Sequence, residues 1–255
     1  MSDKISQIEK YFYNNEKNLI HKWDHYFEIY DRHFKKYKDK DIVLLEVGVS
    51  RGGSLQMWSD YFGKGSKFFG IDIDPRCKEF ENKNTKIFIG SQSDRKFLGY
   101  VKDNIPPVDI LIDDGGHYMN QQIILFEELF GYVKKNGVYL CEDTHSSYWL
   151  VFGGGYKRRG TFIEYSKNFI DMLNAFHSEQ SKYKINNFTK SVNSIHYYDS
   201  VLVIEKRKRE KPKDVVSGII SFEGDKIENY KPNYKPFFKN RYFQIINKIL
   251  RIFNL

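Results

Sequence analysis

Ile110-Leu-Ile-Asp-Asp-Gly-Gly-His117 and, one helix length later, Val138-Tyr-Leu-Cys-Glu-Asp-Thr-His145 share one construction: an apolar run, two adjacent carboxylates and a nearby histidine. Apolar runs without polar alternation are buried on both faces, as strands of a parallel sheet are. Laid side by side, the two runs bring Asp113, Asp114, Glu142, Asp143 and His117 to one edge of a sheet, where open α/β sheets bind ligands. Carboxylates that converge this way want a cation, and the hard oxygens of Asp114, Glu142 and Asp143 suit Mg²⁺ or Mn²⁺. His117 then remains available as general base, because an imidazole titrates near neutrality.

Working outward, Leu44-Leu-Glu-Val-Gly-Val-Ser-Arg-Gly-Gly-Ser54 and Phe68-Phe-Gly-Ile-Asp-Ile-Asp74 repeat the scheme of a buried strand that ends in acids or glycines. Strands are expected at 42–47, 67–71 and 86–89, the last one running into Gly90-Ser-Gln-Ser-Asp94. Gly48, Gly52 and Gly53 let backbone approach a ligand closely. Glu46 would repel a pyrophosphate but accept an ammonium, so the pattern favours S-adenosylmethionine over a dinucleotide. Asp72 stands where an acid receives ribose hydroxyls, about 20 residues after comparable glycine loops. The competing reading makes the glycines an ordinary turn, the acids helix caps and His117 a loop histidine.

Apolar spacing at three and four over residues 5–37 predicts amphipathic helices, with Tyr26 and Tyr30 packing the N-terminal helix. Further helices are expected at 55–62, 94–103 and 121–133, the last closed by Asn136-Gly137 in a left-handed turn. Pro106-Pro107 precedes a strand at 108–112, and another strand follows at 138–142. Gly153–Gly155 with Lys157, Arg158 and Arg159 reads as a mobile basic lid before a helix at 161–177. Residues 191–198 and 201–206 form an antiparallel pair that ends the domain. His145, Tyr148 and Trp149 are candidates for one wall of an acceptor pocket. His25, His33 and His196 read as core or surface residues.

The chain of 255 residues is long enough for one sizeable α/β core. Two cysteines and the lack of a signal-like segment point to a reducing, cytoplasmic setting, and no apolar run reaches a membrane span. The net charge of +8 lies entirely after residue 205, where 13 basic residues face 5 acidic ones; the part before it is neutral, which argues against a nucleic-acid substrate. Three parts follow: a helical cap over 1–40, the α/β domain over 41–206 and a basic extension over 207–255. Within the extension, Phe243, Ile246, Ile249, Leu250 and Phe253 share a helical face flanked by Lys239, Arg241, Lys248 and Arg251, the pattern of an interfacial helix at the inner face of a membrane. Packing at a homo-oligomer interface would produce the same pattern.

Together Leu45–Trp58, Gly70–Pro75, Ile112–His117, Cys141–Trp149 and Ile195–Ser200 resemble the class I S-adenosylmethionine-dependent methyltransferases, specifically the metal-dependent sugar O-methyltransferases of the macrocin and mycinamicin type, a group that includes rhamnosyl and cephalosporin hydroxylase-like proteins. The resemblance spans roughly residues 20–206. It implies a Rossmann-like, mostly parallel seven-stranded sheet with a terminal antiparallel pair and helices on both faces. It also implies Mg²⁺ at Asp114, Glu142 and Asp143, His117 as base, and Glu46, Asp72 and Asp113 near the cofactor. At Ser91 the relatives tend to carry an acid, which leaves Gln92 as the candidate for the adenine contact. The expected activity is O-methylation of a sugar hydroxyl in a surface polysaccharide or a glycosylated metabolite. The alternatives are a non-sugar hydroxyl acceptor, such as a catechol, and a non-catalytic membrane-associated scaffold.

Overall fold

The computed structural model describes residues 5–180 and 183–219. Seven strands form one sheet: β1 Val43–Val47, β2 Lys67–Asp72, β3 Thr85–Ile89, β4 Val108–Asp113, β5 Val133–Cys141, β6 Val192–Tyr197 and β7 Leu202–Lys206. Their order is β3-β2-β1-β4-β5-β7-β6. The first five are parallel, and β7 runs antiparallel to both β5 and β6. The order reverses between β1 and β4, so the crevice at the carboxyl ends of these two strands is the topological switch point of the sheet.

The helices are α1 Gln7–Tyr13, α2 Tyr26–Phe34, α3 Gly53–Phe62, α4 Arg95–Asn104, α5 Met119–Leu129, α6 Phe162–Ser166, α7 Asn168–Asn174 and α8 Asn187–Ser191. Side-chain alternation along the strands divides the core in two. Leu44, Phe68, Ile110, Ile112 and Leu140 meet α1, α2 and α3, whereas Leu45, Ile71, Leu111, Tyr139 and Cys141 meet α4 to α8. Trp58, Tyr30 and Phe34 pack edge to face or stacked in the first layer, while Phe126, Phe130 and Phe169 stack in the second.

Several local expectations change. Helix does not run through residues 14–25: Asn15 accepts from Lys17 N at 3.0 Å and donates to Asn18 O at 2.8 Å, an Asx turn that competes with the helical ladder. Asn136-Gly137 does not close α5. Helix α5 ends at Leu129 and β5 already begins at Val133, with its pairing to β4 shifting register between Val108 and Ile110. Gly137 is required there because a Cβ would stand 2.7 Å from Asp109 O. The helix expected at 161–177 breaks at Ser166, whose carbonyl accepts from the Tyr197 hydroxyl at 2.9 Å. Rather than hanging free as a lid, the glycine loop is stitched down: Gly154 N donates to Trp149 O and Gly155 N to Ser147 O, at 2.9 and 2.8 Å. The expected helix at 239–255 lies outside the described residues. No described helix is long and apolar enough to cross a membrane.

His33 forms a strut between α2 and the antiparallel strands. Its Nδ1 lies 3.0 Å from Glu205 Oε1 and its Nε2 lies 2.9 Å from the Tyr198 hydroxyl. The His33 contact and Lys36 hold the Glu205 carboxyl down at about 2. A depressed carboxyl contributes stability that is present above its unfolded value, near 4.5, and is lost as pH falls toward 2. After discounting for solvent screening, Glu205→Gln is expected to cost about 1 kcal/mol at pH 7, to cost less than half of that near pH 3 and to converge with the parent only at about pH 2, as urea unfolding would measure.

Candidate active site

Two cavities open at the switch point and share Gly48, Ser50, Arg51, Asp114 and Gly115. The larger, about 370 Å³, extends over the ends of β2 and β3 and takes in Asp72, Asp74, Arg76 and Gln92. The smaller, about 230 Å³, extends toward the N-terminal segment and takes in Leu19 to Lys22, Ser54, His117 and Asp143.

Strand parity and loop geometry place each candidate. Gly48, the first residue after β1, has φ +95°, and a Cβ on it would lie 1.9 Å from Asp114 O; this close approach is the floor between the cavities. Gly52 has φ +75° and caps α3 against the Phe80 ring, away from both cavities. Asp72 Oδ2 accepts from Val49 N and Ser50 N at 2.8 and 2.9 Å, so this acid also fixes the loop after β1. Gln92 donates to Asp113 Oδ1 at 3.1 Å and accepts from Gly116 N at 2.7 Å. Asp113 therefore stands behind Gln92, fully buried on the α4 to α8 side, where burial pushes its carboxyl up to about 7.

Glu46 also stands one layer back, on the opposite side of the sheet. Ser54 Oγ donates to its Oε2 at 2.7 Å and Trp58 Nε1 to its Oε1 at 3.0 Å. Burial raises the Glu46 carboxyl to about 7, and Lys22 is the strongest influence opposing that rise.

Asp114, His117 and Asp143 each present one ligand atom within 4.8 Å of the other two. His117 Nε2 lies 3.3 Å from Asp143 Oδ2 and 3.9 Å from Asp114 Oδ1, while its Nδ1 is buried without a protein partner. His117 and Asp143 both adopt left-handed backbone, at φ +57° and +52°, which turns their side chains back over the strand ends. Glu142 is adjacent in sequence but faces inward, fully buried. Its Oε1 accepts from the Tyr30 hydroxyl and its Oε2 from Lys22 Nζ, both at 2.8 Å.

Three residues that sequence reading did not assign to the site thus belong to it. Lys22, buried with 3% of its side chain exposed, bridges Asp114 Oδ2 and Glu142 Oε2. Tyr30 holds Glu142, and the Tyr26 hydroxyl donates to Asp143 Oδ1 at 2.7 Å. Burial lifts both the Asp114 and Glu142 carboxyls, and the Lys22 ammonium is the main counterweight, itself held charged by the same pair. One ammonium among several buried carboxylates leaves the cluster short of positive charge. The fit to a divalent cation is therefore good at Asp114 and Asp143, while Glu142 is shared with Lys22. Because leaving a buried acceptor without its partner costs about 1–3 kcal/mol, Tyr30→Phe is expected to lower unfolding free energy by about 2 kcal/mol in urea denaturation.

An aromatic wall rises beside His117. The His145 ring lies 4.4 Å from Trp149 and 5.7 Å from Trp23, and Phe152 lies 6.4 Å from His117 and 6.0 Å from Trp149. His145 and Trp149 are thus brought together, joined by Trp23 and Phe152. Tyr148 is half exposed and makes none of these ring contacts, and none of the three candidates His145, Tyr148 and Trp149 lines either cavity.

No protein-family model matches the chain. It is 31% identical over 191 residues to the 8-demethyl-8-alpha-L-rhamnosyl tetracenomycin-C 2'-O-methyltransferase of Streptomyces olivaceus, covering 71% of this chain and 50% of that protein. It is 28% identical over 217 residues to the mycinamicin VI 2''-O-methyltransferase of Micromonospora griseorubida, covering 81% and 53%. Among solved structures it matches MycE methyltransferase from the mycinamycin biosynthetic pathway in complex with Mg, SAH and mycinamycin VI, with TM-score 0.70, 27% identity, and 80% of this chain against 53% of that one. The chain spans about half the length of the curated relatives it matches. Over that span the chain has the fold and the strand-end motifs of the class I methyltransferases, and it is similar to the macrocin and mycinamicin type of sugar O-methyltransferase.

Proposed function

We propose that the protein transfers a methyl group from S-adenosylmethionine to a hydroxyl of a sugar, with a divalent cation, Mg²⁺ or Mn²⁺, bound at the strand ends. The observation that carries this reading is the convergence of Asp114, Asp143 and His117 on the smaller cavity, where it opens onto the larger. The larger cavity suits the nucleoside: Asp72 and Gln92 line it, Gly48 and Gly115 let it come close to backbone, and Glu46 and Asp113 support those contacts from behind. The acceptor enters over His145, Trp149, Trp23 and Phe152, whose ring faces suit the apolar face of a sugar.

A sugar hydroxyl is a weak nucleophile near neutral pH, so removal of its proton must accompany attack. In this reading His117 takes that proton as the acceptor oxygen forms its bond to the methyl carbon and the carbon–sulfur bond breaks, releasing S-adenosylhomocysteine. When bound at Asp114 and Asp143, the cation supplies electrostatic stabilisation of negative charge on the acceptor oxygen. The curated relatives are named for sugars on glycosylated natural products, which supports a glycoside acceptor. A bacterial surface polysaccharide is the second acceptor class to test.

The test is calorimetric titration with S-adenosylmethionine, with and without Mg²⁺, on the wild type and Asp114→Ala, followed by product detection on a panel of nucleotide sugars, glycosides, glycans and catechols. Cofactor binding with metal-dependent turnover that is lost in Asp114→Ala supports the reading. Failure to bind S-adenosylmethionine under every metal condition overturns it, and turnover confined to the catechol overturns the sugar assignment.

A further inference from the structure

Lys22 places an ammonium inside the acidic cluster, hydrogen-bonded to Asp114 Oδ2 and 2.8 Å from Glu142 Oε2. These are two of the three carboxylates predicted to hold the cation. Asp114 gives one oxygen to Lys22 and turns the other toward His117. Glu142 has both oxygens engaged, one by Lys22 and one by Tyr30. A divalent ion entering at Asp114 and Asp143 therefore meets a fixed positive charge across a single carboxylate, and it reaches Glu142 only by taking the oxygen that Lys22 holds.

We propose that Lys22 is an internal counter-cation that competes with the divalent metal for Asp114 and Glu142, lowering the metal affinity of the site and coupling metal loading to release of the segment over residues 14–25. The proposal rests on the metal reading given above. Two opposite effects decide its sign. Contacts that orient metal ligands typically raise affinity by about 10- to 100-fold. Repulsion between an ammonium and a dication a few ångströms apart outweighs this even at an effective permittivity of about 20. Lys22 therefore acts mainly as a competitor. Its segment is built to respond, because Leu19 to Lys22 line the same cavity as His117 and Asp143. Asn18 N is held by Gln56 at a long 3.4 Å and His25 Nε2 lies 3.0 Å from Asp199 O, outside both cavities, so the paired contacts of Lys22 are the strongest polar tie of this stretch to the site.

The experiment is Mn²⁺ titration of the full chain, with free Mn²⁺ read by electron paramagnetic resonance, on the wild type, Lys22→Met and Lys22→Arg. Hydrogen exchange over residues 14–25 is measured with and without Mn²⁺. Lys22→Met, which keeps the apolar stem, is expected to bind Mn²⁺ at least tenfold more tightly, and Lys22→Arg to bind like the wild type. Exchange over 14–25 in the wild type is expected to accelerate on Mn²⁺ saturation. Equal or weaker affinity in Lys22→Met overturns the proposal. So does wild-type exchange over 14–25 that is indifferent to Mn²⁺, a result that needs no variant to fold. Absence of Mn²⁺ binding in all three proteins overturns the metal reading itself, whereas wild-type binding with no gain in Lys22→Met overturns only the role of Lys22.

Discussion

Replacing His117 by alanine is expected to lower turnover by about 10²- to 10⁴-fold, the usual contribution of a positioned general base, while S-adenosylmethionine affinity stays unchanged. The split follows from the two cavities. His117 lines the smaller one with Asp143 and Lys22 and does not touch the larger, where Asp72 and Gln92 lie. Its Nε2 faces Asp143 and Asp114, and its left-handed backbone is what carries the ring over the strand end. Steady-state turnover at saturating acceptor, beside a calorimetric cofactor titration, reads both quantities. Turnover within about tenfold of the wild type would remove His117 from the base role.

Gly48→Ala is expected to do the converse, striking stability and cofactor binding together. The new Cβ would stand 1.9 Å from Asp114 O and 2.6 Å from its carbonyl carbon, and the neighbour that must yield is backbone at the end of β4. That backbone is itself held, because Asp114 N donates to Val47 O and Gly48 N to Ile71 O, at 2.9 and 2.8 Å. A φ of +95° adds strain to the clash. A loss of about 4 kcal/mol or more is expected, the range reserved for substitutions with a named severe mechanism. Gly99→Ala provides the control: it lies within α4 with nothing within 4 Å of its Cβ, and should stabilise by about 0.5–1 kcal/mol. Urea unfolding of both variants makes the comparison, and a Gly48→Ala protein as stable as its parent would show that the strand ends can part.

The parallel strands and their acidic ends were legible because both are local properties: an unbroken apolar run marks burial on two faces, and the carboxylate that follows marks its end. The same locality explains the misreading of Asn136-Gly137, a strong turn signal that falls in the register shift between β4 and β5 and not at a helix end. Glu46 was recognised as special, but its partners Ser54 and Trp58 lie one helix away, and only the fold places it behind the cavity wall. Lys22 was out of reach, being separated from Asp114 by 92 residues and from Glu142 by 120. A usable signal did exist in Tyr26 and Tyr30. Two hydroxyls spaced i, i+4 on the buried face of an amphipathic helix need buried acceptors, and the sequence supplied unmatched ones at Glu142 and Asp143.

Because β7 is antiparallel to β5, with Leu202 opposite Cys141 and Glu205 opposite Val138, it starts beside the edge that carries Asp114 and Asp143 and ends at the far one. Arg207 N and Arg209 N, bonded to Ser191 O and Lys190 O at 2.8 Å each, then tie the outgoing chain down there. A solid support or fusion partner attached just beyond Arg209 would be joined about a strand length, roughly 17 Å, from the cavity mouths. Immobilisation through that point should leave the acceptor entrance clear, whereas attachment near Lys22 would crowd it.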